Sequence, residues 1–303
     1  MHLPKQVVLK EVGPRDGLQN EKATILTTDK VELINLLSMS GLSYIEVSSF
    51  VHPKWIPQLA DAAEVLAQIK RQQDVTYAAL IPNKRGLERA LTVGIDEASV
   101  FMSASESHNK NNINKSIDET FPVLREVVDE AKRNGLTVRG YISTVVGCPY
   151  EGYIAPEKVR HVADALFDMG VDEVSLGDTI GVGVPTQVEA LLTHLLPHYG
   201  PERLAMHFHD TRGIAIANVV KSMELGITKF DSALGGLGGC PYAKGASGNV
   251  ATEDLLYLFD EMNIHTGVQM EKVLTAASFI EQKLGKPLAS KQMEIQRHKE
   301  DET

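Results

Sequence analysis

Short apolar runs alternate with amphipathic segments along most of the 303-residue chain, and this alternation restricts the fold more than any other feature of the sequence. Each run is apolar or rich in β-branched residues, as expected of a strand that is buried on both faces. The predicted strands are Val7–Glu11, Tyr44–Ser48, Thr76–Ile81, Glu97–Met102, Thr137–Thr144, Glu173–Leu176, Leu204–His209 and Lys229–Ala233.

Apolar residues at helical spacing characterise the segments between the predicted strands. Several of these segments end in a glycine that leads into the next strand, a turn that helix-to-strand connections prefer. The predicted helices are Asp29–Ser40, Gln58–Arg71, Lys84–Val93, Ser116–Asn134, Pro156–Met169, Pro185–Leu196 and Ile214–Leu225. Thr28 is the predicted N-cap of the first of them.

Eight strand–helix alternations over about 230 residues predict the α/β fold class, as a closed (β/α)8 TIM barrel. An open doubly wound sheet is the alternative, but it more often has a glycine-rich turn after its first strand, and residues 13–17 do not match G-x-G-x-x-G. We expect a single catalytic domain over residues 1–290, in which Gln269–Gly285 forms extra C-terminal helices. Residues 291–303 are charged and aperiodic, so we expect a disordered tail.

Charge and cysteine content exclude several classes of protein. The net charge of −10 argues against nucleic acid as a partner, because phosphate binding requires a basic patch. Two cysteines make no disulfide framework, which favours a reducing compartment and a cytoplasmic location. Residues 1–5 do not start a signal peptide, and no stretch approaches the roughly 20 apolar residues of a membrane span. The apolar C-terminal helices favour a homodimer.

Polar residues follow the predicted strands at the end where a barrel of this kind places its chemistry. His207 and His209 lie two apart in one strand, so both imidazoles point to one face. Asp16 adds a carboxylate, and Asn249 could add a carbonyl oxygen. This mixed ligand set suits Mg²⁺ or Mn²⁺, with open positions for substrate oxygens, and two imidazoles also suit Zn²⁺. The alternatives are half-exposed histidines and an Asp16 that only pairs with Arg15.

Arg15 stands next to the predicted ligand Asp16, where its planar and always charged side chain could hold an enolate oxygen by two hydrogen bonds. The alternative is a salt bridge at the rim of the barrel. Glu46 points from the middle of its strand toward the barrel mouth. A buried carboxylate there needs a partner, and Arg15 is the natural one, so we expect a positioning role for Glu46 rather than proton transfer.

Further polar residues are candidates for supporting roles. Asp178 and Asp254 could each orient a metal ligand, although Asp254 also suits the first turn of a helix near Thr252–Glu261. The run Asn109–Lys115 is expected to be a solvated loop, or alternatively to hold a phosphate or pantetheine arm. The predicted substrate contacts are Arg15, Gln19, Ser49, Asn112 and Lys115.

Cys240 lies in a loop with four nearby glycines, which let a backbone approach a ligand and let a loop open and close. A thiol in such a loop can act as a proton donor or nucleophile, and the alternative is an incidental cysteine. Cys148 repeats the local tetrapeptide without the glycine loop, so we interpret it as structural. A Cys148–Cys240 disulfide is conceivable, but a reducing compartment disfavours it.

Four motifs together resemble the 3-hydroxy-3-methylglutaryl-CoA (HMG-CoA) lyase family, over about Val7 to Gly267. They are Gly13-Pro14-Arg15-Asp16-Gly17-Leu18-Gln19-Asn20, Ser49-Phe50-Val51-His52-Pro53-Lys54-Trp55, His207-Phe208-His209-Asp210 and Gly236-Leu237-Gly238-Gly239-Cys240-Pro241-Tyr242. The Arg-Asp-Gly-x-Gln and His-x-His elements are shared with a wider group that includes isopropylmalate and homocitrate synthases and ketoacid aldolases. The glycine loop ending in Cys-Pro-Tyr is much narrower and indicates the lyase, and the lead-in Ser232–Gly235 departs from the common form only conservatively.

The resemblance implies a barrel that binds one divalent cation, Mg²⁺ or Mn²⁺, and no organic cofactor beyond the CoA of its substrate. The reaction it implies is cleavage of (S)-HMG-CoA to acetyl-CoA and acetoacetate, in leucine breakdown and ketone-body formation. The partner would be a small acyl-CoA. By matching motifs, the implied metal ligands are Asp16, His207, His209 and Asn249.

The same resemblance implies roles for the remaining site residues. Arg15 would stabilise the acetyl-CoA enolate, and Cys240 would take part in proton transfer. Glu46 and Asp178 would support the substrate and its tertiary hydroxyl. The base that takes the hydroxyl proton stays open, with His207, His209, Asp16 and Asp178 as candidates.

Two other classes of function compete with the lyase. A condensing acyltransferase or aldolase would run related chemistry, but those synthases usually carry a C-terminal regulatory domain, and little of this chain remains after the barrel. A barrel that only binds a ligand or partner is disfavoured by the convergence of so many site residues. Other 3-hydroxyacyl-CoA substrates stay open.

Overall fold

Eight parallel strands close into a barrel in the computed structural model, which describes residues 3–239 and 248–301. The strands are β1 (Val8–Glu11), β2 (Tyr44–Ser49), β3 (Thr76–Leu80), β4 (Glu97–Ser103), β5 (Thr137–Ser143), β6 (Glu173–Asp178), β7 (Leu204–Phe208) and β8 (Lys229–Ser232). Neighbours in sequence are neighbours in the barrel, and β8 pairs with β1 from Val8↔Lys229 to Glu11↔Ser232. The closure confirms the predicted TIM barrel and excludes the open sheet.

Helices surround the barrel and return the chain from each strand to the start of the next. They are α1 (Thr27–Ser38), α2 (Ala62–Gln68), α3 (Lys84–Leu91), α4 (Glu106–Ile113), α5 (Ile117–Arg133), α6 (Pro156–Asp168), α7 (Pro185–Tyr199), α8 (Ala215–Glu224), α9 (Thr252–Glu261), α10 (Met270–Leu284) and α11 (Lys291–Asp301). Helix α1 begins one residue before the predicted N-cap Thr28, and Leu26 takes the cap position. Among the described residues, no helix is both long enough and apolar enough to cross a membrane.

Helix α4 replaces much of the solvated loop expected over Asn109–Lys115. Ser105 caps its first turn by accepting a hydrogen bond from the backbone N–H of His108. Asn109 is buried, accepts the backbone N–H of Ser103 and donates to the Oγ1 atom of Thr120. The run is therefore helical over 109–113 because a buried amide, rather than an apolar stripe, fixes α4 against α5.

Helix α11 forms over Lys291–Asp301, where we expected disordered chain. Asp254 accepts the backbone N–H groups of Lys291 and Gln292, which satisfies two donors at the start of the helix. Met293 is 1% exposed and belongs to the hydrophobic core. These contacts with a distant part of the chain order a segment whose own composition gives no helical signal.

Candidate metal centre and active site

Three predicted metal ligands meet at the C-terminal mouth of the barrel. Asp16 lies in the turn of helix Gly13–Gly17 that follows β1, His207 lies in β7, and His209 follows β7 directly. Each offers a ligand atom, and all three atoms lie within 4.8 Å of one another. All three side chains are buried, and the two imidazole rings are 5.3 Å apart between centroids. The i, i+2 spacing of the histidines thus places both rings on one side of the strand end, as predicted.

Hydrogen bonds hold the Asp16 carboxylate in place. Its Oδ1 atom accepts from Arg15 Nη1 at 2.5 Å and from Gln19 Nε2 at 2.9 Å, and its Oδ2 atom accepts from Asn249 Nδ2 at 2.8 Å. Burial alone would raise the pKa of Asp16, but the Arg15 guanidinium and the imidazoles of His207 and His209 outweigh it and lower the pKa to about 2. Asp16 is therefore an anion at neutral pH.

His209 has the properties of a ligand that waits for a cation. Burial, with a smaller contribution from His207, lowers the pKa of His209 to about 4, so the ring is neutral near pH 7. Its Nδ1 atom is buried without a hydrogen-bond partner among the described residues. A neutral imidazole beside an ionised carboxylate fits a divalent cation chemically. Asn249 borders the group, because its Nδ2 atom bonds both Asp16 and the carbonyl of Leu237.

Arg15 and Glu46 form the ion pair expected from the sequence. Arg15 Nε donates to Glu46 Oε2 at 2.5 Å, and both side chains are buried. Burial raises the pKa of Glu46 even though Arg15 opposes the shift. The pKa of Arg15 is raised, because Glu46 and Asp16 outweigh the effect of burial. Glu46 therefore holds the guanidinium next to the Asp-His-His group.

A cavity of about 850 Å³ opens above this group. Its lining includes the candidate substrate contacts Arg15, Gln19, Asn112 and Lys115 together with both histidines. Ser49 is not part of the lining, and its Oγ atom instead accepts the backbone N–H of Val51. The cavity connects four of the five predicted substrate contacts with the candidate metal ligands.

The two weaker acidic candidates have different surroundings. Asp178 ends β6, where its two carboxylate oxygens accept the backbone N–H groups of Val182 and Gly183. Burial raises the pKa of Asp178, although those two hydrogen bonds oppose it. Asp254 lies in the first turn of α9, as the alternative interpretation predicted, and its carboxylate binds the first turn of α11 rather than a candidate metal ligand.

Cys240 lies outside the described residues, as do residues 241–247, and the chain on either side of them borders the site. Gly239 lines the cavity. Gly238 has φ +112°, and a Cβ atom on it would lie 2.8 Å from Asn249 Nδ2, so a larger residue would displace this candidate ligand. Cys148 is a buried free thiol whose Sγ atom accepts the backbone N–H of Tyr150 at 3.3 Å, in agreement with its structural interpretation.

The charged residues inside the barrel were not predicted from the sequence. Arg139 in β5 is fully buried, and it binds Glu173 through Nε at 2.8 Å and Asp231 through Nη2 at 2.6 Å. Asp231 in β8 contacts His207 Nδ1 at 3.1 Å. Their signal is a charged residue in the interior of a strand, a position from which Asp is normally depleted.

The chain is a (β/α)8 barrel, and its mouth holds a buried Asp-His-His group beside an arginine. These two features define the class of barrel enzymes with a candidate divalent-cation site. Comparison with known proteins defines the class more closely. The HMGL-like family model matches residues 6–280, and the chain belongs to this family.

Relatives cover nearly the whole chain. Hydroxymethylglutaryl-CoA lyase of Bacillus subtilis is 56% identical over 295 residues, which are 97% of this chain and 99% of the relative. A 3-hydroxy-3-isohexenylglutaryl-CoA/hydroxymethylglutaryl-CoA lyase of Pseudomonas aeruginosa is 52% identical, over 96% of this chain and 97% of the relative.

Solved structures give the same result. The crystal structure of the B. subtilis HMG-CoA lyase has a TM-score of 0.97 at 56% identity and covers 98% of this chain and 100% of that one. An HMG-CoA lyase of A. baumannii in complex with coenzyme A and 3-methylmalate has a TM-score of 0.91 at 38% identity, over 96% and 95% of the two chains. The family resemblance predicted from the four motifs is therefore confirmed.

Proposed function

We propose that this protein is a divalent-metal-dependent HMG-CoA lyase, which cleaves (S)-HMG-CoA to acetyl-CoA and acetoacetate. The observation that carries the proposal is the convergence of Asp16, His207 and His209 next to Arg15 under the cavity, in a chain 56% identical to a hydroxymethylglutaryl-CoA lyase. An anionic acyl-CoA fits a cavity lined by arginine, lysine and asparagine side chains.

Asp16, His207, His209 and Asn249 are the residues that would hold Mg²⁺ or Mn²⁺ in this proposal. When bound, such a cation lowers the pKa of a coordinated hydroxyl and fixes the orientation of substrate oxygens. The charge states of two of these residues support cation binding. Asp16 is ionised at neutral pH, and His209 is neutral there. Gln19 and Asn249 keep the carboxylate of Asp16 oriented between them.

Arg15 receives the charge that develops when the carbon–carbon bond breaks. The electrons of that bond move onto the thioester oxygen of the departing acetyl-CoA enolate. Glu46 and Asp16 use two of the five N–H donors of Arg15, which leaves three for other acceptors at the cavity. A guanidinium fixed by two carboxylates has little rotation left to lose when it binds the enolate oxygen.

The pKa shifts of the candidate bases disfavour Asp16 and His209 as acceptors of the hydroxyl proton. The pKa of Asp16 is lowered to about 2 and that of His209 to about 4, whereas a general base works best with a pKa near the working pH. His207, which lines the cavity, and Asp178, whose carboxylate is held by two backbone N–H groups, are the two candidates that this comparison leaves. Cys240, which follows a glycine-rich stretch of the sequence, is the proposed proton donor to the enolate.

Product identification with HMG-CoA tests the proposal. Mass spectrometry should find acetyl-CoA and acetoacetate in equal amounts. Chelation with EDTA should abolish turnover, and addition of Mg²⁺ or Mn²⁺ should restore it. Full turnover in EDTA would contradict the cation requirement. Condensation of acetyl-CoA with a ketoacid would instead support a synthase, and binding without any product would support a barrel that only binds ligand.

The same assay decides whether a longer substrate is used, as in the P. aeruginosa relative named for 3-hydroxy-3-isohexenylglutaryl-CoA. Apolar side chains line part of the cavity, among them Phe101, Leu124 and Ile142. We propose that this wall accepts an alkyl group larger than the methyl of HMG-CoA. Comparable kcat/KM values for both substrates are expected, and a longer substrate that is not cleaved would limit the enzyme to HMG-CoA.

We also propose that the enzyme works as a cytoplasmic homodimer. Low cysteine content supports the compartment. Half-exposed apolar side chains on two neighbouring helices, Tyr257 on α9 and Ile295 on α11, support self-association. Analytical ultracentrifugation should give twice the chain mass of 33.1 kDa, and a monomer would contradict the dimer.

A further inference from the structure

Asp231 contacts one of the candidate metal ligands from inside the barrel. It is paired with His207 in the register of β8 against β7, so both side chains occupy the same level of the barrel. The Oδ2 atom of Asp231 lies 3.1 Å from His207 Nδ1. The other ring nitrogen, Nε2, faces Asp16 Oδ2 at 4.0 Å. The ring of His207 thus bridges a buried acid and the candidate metal group.

Asp231 can only accept a hydrogen bond from His207. Arg139 donates to both of its carboxylate oxygens, at 2.6 and 3.2 Å, and Ser175 Oγ donates to Oδ2 at 2.8 Å. Asp231 is 1% exposed and Arg139 is fully buried, so water does not compete for these bonds. A carboxylate that is surrounded by donors stays ionised and has no proton to give.

We propose that Asp231 is a positioning residue that fixes His207 as the Nδ1–H tautomer and so presents the Nε2 lone pair to the cation. The proposal rests on the cation role given to His207 in the proposed function. Metal-binding histidines commonly donate their second N–H to a carboxylate, which sets the tautomer and the ring orientation.

His209 lacks such a support. Its Nδ1 atom has no hydrogen-bond partner among the described residues. The two imidazoles therefore play unequal parts, because only the ring of His207 is fixed by a buried carboxylate. Loss of Asp231 should weaken cation binding, whereas loss of other contacts of Arg139 should not.

A purely structural role for Asp231 is the competing explanation, in which it only neutralises Arg139. Glu173 provides the matched control, because it accepts from the same guanidinium, through Nε at 2.8 Å, and lies next to Lys10 rather than His207. Both acids are buried partners of one arginine. A structural role predicts similar effects of Asp231→Asn and Glu173→Gln, whereas a positioning role predicts that only Asp231→Asn changes cation binding.

Two measurements on the full-length protein test the proposal. The first is ¹⁵N NMR of histidine-labelled, Mg²⁺-saturated protein at about pH 8, above the usual histidine pKa. The signal of His207 is assigned by its loss in His207→Gln. The second is Mn²⁺ titration, followed by electron paramagnetic resonance, of the wild type, Asp231→Asn and Glu173→Gln. The NMR measurement needs no variant of Asp231, so it decides even where Asp231→Asn does not fold.

We expect a proton on Nδ1 of His207, a Mn²⁺ dissociation constant raised about 10- to 100-fold in Asp231→Asn, and no change in Glu173→Gln. An unprotonated Nδ1 overturns the proposal, and so does wild-type Mn²⁺ affinity in a folded Asp231→Asn. Equal weakening in both variants overturns it as well. If the wild type itself binds no Mn²⁺ or Mg²⁺, the proposed function fails first, which distinguishes the two failures.

Discussion

Replacing Arg15 by lysine and by methionine separates its part in stability from its part in catalysis. Arg15 binds Glu46 and Asp16 at 2.5 Å each, and all three side chains are buried. Methionine leaves two neighbouring carboxylates without a counter-charge, which should lower the free energy of unfolding by about 3–5 kcal/mol. Lysine keeps the charge and at least one of the ion pairs, so Arg15→Lys should lower the free energy of unfolding by only about 1–2 kcal/mol.

Both replacements should reduce turnover severely. Neither side chain can place two parallel N–H groups on an enolate oxygen, and loss of one such donor typically costs about 10²- to 10³-fold in kcat. Because this interaction strengthens only in the transition state, KM should change little. Lysine should therefore produce an enzyme that is nearly as stable as the wild type but slow, and methionine one that is both unstable and slow.

The assay is acetoacetate formation at saturating Mg²⁺, together with urea unfolding in the presence of EDTA so that no cation contributes to stability. Arg71→Met is the control, because its ion pair with Asp96 is largely exposed and should contribute less than about 1 kcal/mol. An Arg15→Lys enzyme with wild-type kcat would refute the catalytic argument. An Arg15→Met protein as stable as Arg71→Met would refute the stability argument.

Three further predictions concern cation binding, pH and the backbone. Saturation with Mn²⁺ at about 100 times its dissociation constant should stabilise the wild type by about 2.7 kcal/mol in thermal unfolding, and His209→Ala should not respond; an unresponsive wild type contradicts the site. Burial raises the pKa of Glu11 to about 7 from its usual 4.5. The folded protein therefore holds this proton more tightly than the unfolded chain. This proton on Glu11 contributes about 3 kcal/mol to the free energy of unfolding below pH 4.5, and the contribution is lost as pH rises through about 7. Glu11→Gln should reduce this dependence in urea unfolding at pH 5 and pH 8 to the part that Glu253 contributes, because burial raises the pKa of Glu253 to about 7 as well; an unchanged slope counts against the prediction. Gly235 has φ +65° and no room for a Cβ atom against Leu288, whereas Gly152 has φ +71° and open space around it. Gly235→Ala should therefore lower the free energy of unfolding by about 1–3 kcal/mol more than Gly152→Ala does. Equal losses of stability would show that packing at Gly235 is unimportant.

The strands were predictable because each is buried on both faces. Strands that are buried on both faces are apolar or β-branched over most of their length, and a run such as Leu204–Phe208 therefore marks the strand itself. Every predicted strand lies within two residues of the observed one. The Asp-His-His group was predictable for a related reason, since the mouth of the barrel collects whatever follows each strand.

Other features depend on contacts that sequence spacing does not reveal. Helix α4 is fixed by the buried amide of Asn109, which reads as an ordinary polar residue. The start of helix α11 is fixed by Asp254, which accepts the backbone N–H of Lys291 and lies 37 residues earlier in the chain. The contact of Asp231 with His207 depends on the register between β7 and β8, which an apolar pattern leaves open.

The charged side chains at the mouth of the barrel are coupled to the candidate cation site. At the mouth, the carboxylates of Asp16 and Glu46 share one guanidinium, that of Arg15, which leaves an excess of negative charge. Burial raises the pKa of Glu46, and a smaller contribution from Asp16 acts in the same direction, against Arg15 and Arg139. A divalent cation at Asp16 would offset the contribution of Asp16, so metal binding should favour the ionised form of Glu46, which is the form that pairs with Arg15.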